Sequence, residues 1–317
     1  AIKNMAEAKV SGATTTGTAG NLSVQAQDNS NIFALSGGFA GGKTAGFGAG
    51  LALNNIGNIV TALVEKASLT VGETAVTADS TGGVTSIVAG AGGAKKVALA
   101  GSLGINNISN QITASIGGSV AINRIANAIM ARIENSKLTA TGKADVFAKS
   151  AASIQALTVG ISAALAESSG TSLGLAGAGA GGRNEIRNQI EAAIVQTQQP
   201  TEVRAANLNL IAEDTSRISV DSGGVAIAIA AGQGSNASTS IGASVAINEI
   251  ENVIRSRVAT ARVAAANLNV RARSNSTVEA LTLAGSASFS GGQGGGVAIG
   301  GAGAGSRNTI RNNLGGG

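Results

Sequence analysis

The chain has 317 residues, 47 of them Gly, with aromatics at 2%, charged residues at 12%, and no Cys, His, Trp or Tyr. That composition excludes disulfide frameworks, thiolate and imidazole metal sites, and Ser–His or Cys–His catalysis. The net charge of +5 is carried by scattered Lys and Arg, which reads as a solvated face and not as a nucleic-acid footprint.

Taken in chain order, the sequence begins at Ala1 without a Met or a charged-then-apolar leader, and so reads as a mature fragment of something longer. A repeat then governs everything that follows. The pattern Asn-x-Ile-x-Asn occurs at Asn54-Ile56-Asn58, Asn123-Ile125-Asn127, Asn184-Ile186-Asn188, Asn248-Ile250-Asn252 and Asn308-Ile310-Asn312, with a displaced echo at Asn106. Its starts are 69, 61, 64 and 60 residues apart. These spacings divide the chain into one continuous array of five units, approximately 1–58, 59–127, 128–188, 189–252 and 253–317. Two unit types alternate. Ser119-Val120-Ala121-Ile122-Asn123 has its twin at Ser244-Val245-Ala246-Ile247-Asn248, and the Gly-Ala run before Asn184 has its twin before Asn308.

Within the copy at Asn248, residues two apart share a strand face. Asn248, Ile250, Asn252, Ile254, Ser256 and Val258 then point inward, and Glu249, Glu251, Val253, Arg255 and Arg257 outward. A helix competes, because Ile250, Ile254 and Val258 are also four apart, but alternation separates apolar from charged positions more cleanly. A buried Asn at a fixed place in each unit can donate to the amide of the next rung and form a ladder. The alternative is that these Asn cap turns at strand ends.

Each unit reads as three parts. The Asn-Ile strand leads through a turn such as Thr260-Ala261-Arg262 to a second strand, opened by Asn21-Leu22, Asn207-Leu208 or Asn267-Leu268, which continues through Ser-rich alternation as far as Leu281. Gly pairs such as Gly37-Gly38, Gly82-Gly83 and Gly223-Gly224, Gly170, and the run Gly291 to Gly296 are then expected to turn the chain. A third run follows, as in Val97 to Ala100, Val225 to Ala230 and Gly296 to Gly300. It is apolar on both faces, which predicts burial on both faces and a second covering layer. The only Pro, Pro200, falls in a turn region. The expected fold is all-β: a parallel β-solenoid, because equivalent strands in one register stack best on each other. Stacked antiparallel hairpins forming a sandwich are the alternative.

Segments such as Gly242 to Asn252, followed by Ala265-Ala266-Asn267-Leu268-Asn269-Val270-Arg271-Ala272, resemble the repetitive regions of giant bacterial surface proteins. These are the haemagglutinin-like adhesins, autotransporter passengers and leukotoxin-type repeats of anaerobes. The resemblance spans essentially the whole chain. It implies a secreted or cell-surface, elongated stalk or filament with structural or adhesive duty, touching a host or neighbouring cell, and it carries over no catalytic residue.

No chemical site stands out. Glu249 and Glu251 share a face with Arg255 and Arg257, which suits an exposed mixed-charge surface better than a glycosidase acid pair. Glu213, Asp214 and Asp221 could bind calcium at a solenoid turn, but calcium wants several oxygens converging, which disfavours the reading. The Gly-rich runs lack the Gly-Lys-Ser/Thr of a phosphate loop. The longest apolar runs fall short of the ~20 residues a spanning helix needs, and five Phe cannot girdle a membrane barrel. The expectation is therefore a non-enzymatic segment without cofactor or metal, not membrane-spanning, continued end to end by further repeats or identical subunits. The competing expectation is a carbohydrate-binding or carbohydrate-active β-helix module, which would want clustered acids and aromatic platforms.

Overall fold

The computed structural model describes residues 1–42, 45–48, 52–94, 97–100, 103–104, 119–168 and 172–317. Among these residues there is no helix, and every pairing of named strands is parallel. The chain winds as a β-solenoid in which a unit of about sixty residues makes one coil with four walls.

Wall one follows the Asn-x-Ile-x-Asn motif and stacks Met5–Ser11, Ile59–Glu65, Ala128–Glu134, Gln189–Val195, Val253–Ala259 and Asn313–Gly316. Wall two contains Leu22–Asp28, Thr74–Ser80, Lys143–Ser150, Glu202–Asp214 and Arg262–Ser274, with Ser68–Val71 and Lys137–Ala140 continuing it toward wall one. Wall three stacks Asn31–Gly42, Gly83–Ala94, Ser153–Ser168, Arg217–Gly232 and Thr277–Gly292. Wall four runs back to the motif through Ala45–Gly48, Val97–Ala100, Ser172–Ile186, Asn236–Ile250 and Gly296–Ile310, joined by Leu53–Ile56, Leu103–Gly104 and Ser119–Ile125.

The register is identity on identity. Asn184 pairs with Asn248, and Asn248 with Asn308. Asn207, Leu208 and Asn209 lie beside Asn267, Leu268 and Asn269. A parallel stack places equivalent positions in line, so inward side chains mostly meet ones of similar shape, as Ile186 meets Ile125 and Ile250, with exceptions such as Leu208 beside Ala144.

Four walls replace the three parts expected from the sequence. The motif strand bends at Glu251-Asn252, and the Asn-Leu strand bends at Asn275-Ser276, so that Thr277 opens wall three. Alternation of burial continues through both bends because each corner contains two residues, which preserves the phase. This is why periodicity alone could not reveal the corners. Gly37-Gly38 and Gly223-Gly224 lie inside wall-three strands and turn nothing; Gly82 sits at a corner; only the run at Gly291 to Gly296 contains a turn. Gly170 and the echo at Asn106 lie outside the described residues.

The turn from wall one to wall two has a left-handed residue at an equivalent place in four coils: Gly12 (φ 66°), Lys66 (φ 50°), Asn135 (φ 49°) and Thr260 (φ 57°). The fourth coil carries an insertion instead, Gln196 to Pro200. Asn135 ties it down by accepting from the backbone N–H groups of Thr197, Gln198 and Gln199 at 2.9, 2.9 and 3.0 Å. Pro200 falls in this turn, as its missing donor suggests.

Two different interiors result. Walls one and two enclose Leu, Ile and Val: Ile129, Ile133, Ile190, Ile194, Leu208 and Leu210 are fully buried in one cluster. Walls three and four meet over the motif isoleucines, Ile56, Ile125, Ile186 and Ile250, which pack with Val84, Ile154 and Ile218. Beyond that point their interior shrinks to Ala164, Ala176, Ala178, Ala226 and Ala228. A Cβ on Gly160 would collide with the backbone carbonyl of Gly179, and one on Gly224 with that of Ala243. The two sheets therefore approach backbone to backbone, far closer than the ~10 Å of ordinary sheet packing. The glycines make this half of the coil a thin blade.

Candidate functional site

The five copies of the motif line the waist between the wide half and the blade. Its first Asn forms a side-chain ladder. Asn123 Nδ2 donates to Asn184 Oδ1 at 2.6 Å, Asn184 Nδ2 to Asn248 Oδ1 at 2.8 Å, and Asn248 Nδ2 to Asn308 Oδ1 at 2.8 Å. Asn54 stands in register with Asn123, but its Nδ2 is buried without a partner.

The second Asn, at the corner, behaves differently. Each Oδ1 accepts the backbone N–H of the equivalent Asn one coil earlier. Asn4 N–H reaches Asn58, Asn58 reaches Asn127, Asn127 reaches Asn188, Asn188 reaches Asn252, and Asn252 reaches Asn312, at 2.7–3.0 Å. All but Asn252, whose Nδ2 is buried without a partner, then span the interior with their Nδ2. Asn188 donates to Ser150 Oγ at 3.0 Å, Asn127 to Ser80 Oγ at 3.4 Å, and Asn312 to Ser274 and Ser276 at 2.7 and 2.9 Å. Asn58 donates to Asp28 and to Ser30 Oγ. The corner between walls four and one is thereby tied to the corner between walls two and three.

The first Asn of the motif forms the side-chain ladder; the second stands at a strand end but bonds to the backbone of the neighbouring coil and not to its own turn. Sequence reasoning missed the opposite corner. Its signal is a weak (Asp/Ser)-x-(Ser/Gly/Ala) that recurs at Asp28, Ser80, Ser150, Asp214 and Ser274. Asp214 is wholly buried there and accepts from Ser216 and Ser276. Glu213 faces the other way, toward Arg273, so these acids do not converge on a cation.

Charged side chains on the outer faces pair between coils. Arg187 bridges Glu185, Glu249 and Glu251, and Arg311 reaches Glu249. Glu191 is held between Arg132 and Arg257. Burial works against its ionisation, but the two guanidinium groups outweigh that and hold the carboxyl below its ordinary pKa. Glu249 and Glu251 are thus parts of an ion-pair lattice that runs across coils. A shallow groove of about 340 Å³ lies outside wall two, lined by Thr77, Asp145, Phe147 and Asn209. Two of its polar side chains are engaged with each other, Asn209 donating to Asp145 at 2.8 Å.

Among the described residues, two surfaces stand out as lacking partners within the chain. The first is the outside of the blade. Val225, Ile227 and Ile229 were expected to be buried on both faces; they are instead 43, 37 and 37% exposed, and Ala226, Ala228 and Ala230 occupy the interior. Small residues go inward because only they fit between sheets in backbone contact, so the bulky set is displaced to the outside. The second surface is the end of the stack. Ile310, Leu268 and Leu314 are 47, 51 and 47% exposed, whereas their counterparts one coil earlier, Ile250, Leu208 and Ile254, are fully buried. Comparison of the chain with known protein families, curated proteins and solved structures finds no match.

Proposed function

We propose that the chain is a non-enzymatic structural and adhesive repeat segment of a large secreted or cell-surface bacterial protein, working within a stalk or extracellular filament. The observation that carries this reading is the open end of the stack. Ile310, Leu268 and Leu314 present the same apolar positions that every inner coil buries. The edge strands beside them offer the backbone groups that pair elsewhere in the fold. A further coil, covalent or from an identical subunit, is the cover that matches both features at once, because register and side-chain identity repeat. The bacterial and extracellular parts of the reading rest on the resemblance of segments such as Gly242 to Asn252 to giant surface-protein repeats.

Electron microscopy of the chain over a range of concentrations tests the reading. The expected image is rods whose width is that of one coil and whose length grows with concentration. Particles of constant length with ends protected from hydrogen exchange would overturn it. Turnover of any member of a polysaccharide panel would replace it with the enzyme reading.

A further inference from the structure

The outer face of wall four is ridged. Its rows across the third, fourth and fifth coils read Gly177, Ile241, Gly301 and, four residues on, Gly181, Val245, Gly305. The alternation of unit types thus raises a ridge of exposed Ile241, Val245 and Ile247 on the fourth coil, with a glycine channel on either side. Ridge and channel lie one strand spacing apart, ~4.8 Å. Contacts inside the chain do not require these channels. A Cβ on Gly301, Gly303 or Gly305 would meet no atom within 4 Å, unlike one on Gly160 or Gly224 in the blade interior. Glycine weakens a strand and ordinarily marks the close approach of another group; among the described residues nothing approaches these three. The channel and the ridge beside it are therefore shaped for something outside the chain. A flat occupant would ride on the ridge and leave the channels empty. A surface whose own ridges and channels lie ~4.8 Å apart would fill them, and this face is such a surface.

We propose that this face pairs with the same face of a second copy of the chain, ridge into channel, so that stalks of the kind proposed above associate side by side. A two-fold axis lying in the plane of the interface, parallel to the strands and midway between Asn236–Ile250 and Gly296–Ile310, turns one face onto the other. It keeps every residue in its row and exchanges the fourth and fifth coils. Ile241 of each copy then lies over Gly301 of the other, Val245 over Gly305 and Thr239 over Ile299, so a larger residue meets a smaller one in each of these rows. Charge agrees with relief. Arg307 lies over Ile247 of the other copy, and Glu249 stands two residues further along that strand, ~6.6 Å away and within reach of the guanidinium. Among the described residues Arg307 is exposed and takes no part in the ion pairs of its own face. The symmetry makes this contact twice, as an isologous interface requires. Two strands overlapping over about twelve residues give roughly 10 by 40 Å, or about 400 Å² per copy, half of what each partner contributes to a standard interface. One pair of chains is therefore expected to associate weakly. The pairing rests on the stalk reading for its strength, because each further pair of coils of alternating type adds an equal contact to a tether already formed.

The chain contains no Cys, so an engineered thiol reports a single contact. Chains bearing Ala243→Cys are mixed with chains bearing Gly303→Cys and oxidised; the axis sets these two positions face to face. Mixed cross-links are expected to form roughly tenfold faster than those between Ala243→Cys and Asn269→Cys, a pair that gives the collision rate because Asn269 is exposed on wall two. Gly305→Val meets nothing in its own chain but fills the channel against Val245 of the other copy. Added to the Gly303→Cys chain, it is expected to slow mixed cross-linking by roughly tenfold, with circular dichroism confirming that the strands are retained. Mixed cross-linking no faster than the Asn269→Cys control, or unchanged by Gly305→Val, would overturn the proposal. Flotation with phosphatidylcholine vesicles in place of cross-linking would overturn it too and assign the face to lipid. Rod growth is read separately by electron microscopy. Rods without cross-links would leave the stalk reading standing and strike the side-by-side pairing; cross-links without rods would support the pairing and strike the stalk.

Discussion

Asn184 Nδ2 donates to Asn248 Oδ1 at 2.8 Å although 64 residues separate them, and both side chains are fully buried. Each amide satisfies the one beneath it, and the row runs through the waist of the solenoid in the direction of stacking. Removing one member leaves a buried donor above or acceptor below without a partner. Asn184→Ala is therefore expected to cost about 2–3 kcal/mol in chemical denaturation. Asn308→Ala, at the exposed end of the same row, is expected to cost well under half as much. Equal losses at the two positions would refute the ladder as a source of stability.

The corner Asn carries more bonds per side chain. Asn188 accepts from Asn127 N–H and donates across the waist to Ser150 at 3.0 Å. Asn188→Ala should lower stability by roughly 3 kcal/mol, more than Asn184→Ala. Ser150→Ala should recover only the share due to the cross-waist bond. A double-mutant cycle between Asn188 and Ser150 measures that share directly.

Blade thickness has its own test. Gly160→Ala places a Cβ against the Gly179 carbonyl and must push walls three and four apart, with an expected loss of about 1–3 kcal/mol. Gly301→Ala meets no atom within 4 Å. It should be neutral or stabilise by about 0.5 kcal/mol by restricting the unfolded chain. Thermal melts of the two variants should move in opposite directions or differ by several degrees.

Thr260 is β-branched and sits at φ 57°, where a side chain is disfavoured. The equivalent turn of the first coil uses Gly12. Thr260→Gly is expected to stabilise by about 1 kcal/mol, the cost of the left-handed conformation outweighing the added freedom of Gly in the unfolded state. Urea midpoints of the two proteins provide the check.

The Arg132–Glu191–Arg257 trio makes stability depend on pH. The folded pKa of Glu191 is depressed, burial being outweighed by the two arginines. Its contribution is therefore fully present above the unfolded value of about 4.3 and is lost as pH falls through the lower folded value. Glu191→Gln should flatten the stability profile in that acid window and leave its shape above pH ~6 unchanged. An acid limb identical in both proteins would show that other carboxylates govern it.

Much of the fold was legible because a parallel stack writes itself into the chain as identity at fixed intervals. The inward set from Asn248 through Ser256 alternates as expected, and the motif spacing matches the coil register. Corners were not legible, because a two-residue bend at Glu251-Asn252 preserves alternation and leaves no phase slip to detect. Val225 to Ala230 defeated the reading for a different reason. When both faces of a strand are apolar, hydropathy cannot say which is inside; the distance to the opposite sheet decides, and that distance is set by Gly224 on the same strand together with Gly160 and Gly242 on others. The corner-to-corner bonds of Asn188 and Asn312 needed the two bends before their partners could be known.

Stacking along the direction of the interstrand hydrogen bonds also determines how such a rod answers a pull. Tension applied along the stack loads those bonds end-on, one coil boundary at a time, instead of shearing many rows together. Each coil that peels away surrenders ~4.8 Å of rod and releases about sixty residues, which extend to roughly 200 Å. The span contributed by each released coil therefore grows about fortyfold, in discrete steps, while the remaining coils keep their pairing. A tether built this way absorbs a sudden load by paying out chain, and re-forms coil by coil on the template of the next intact turn when the load is removed.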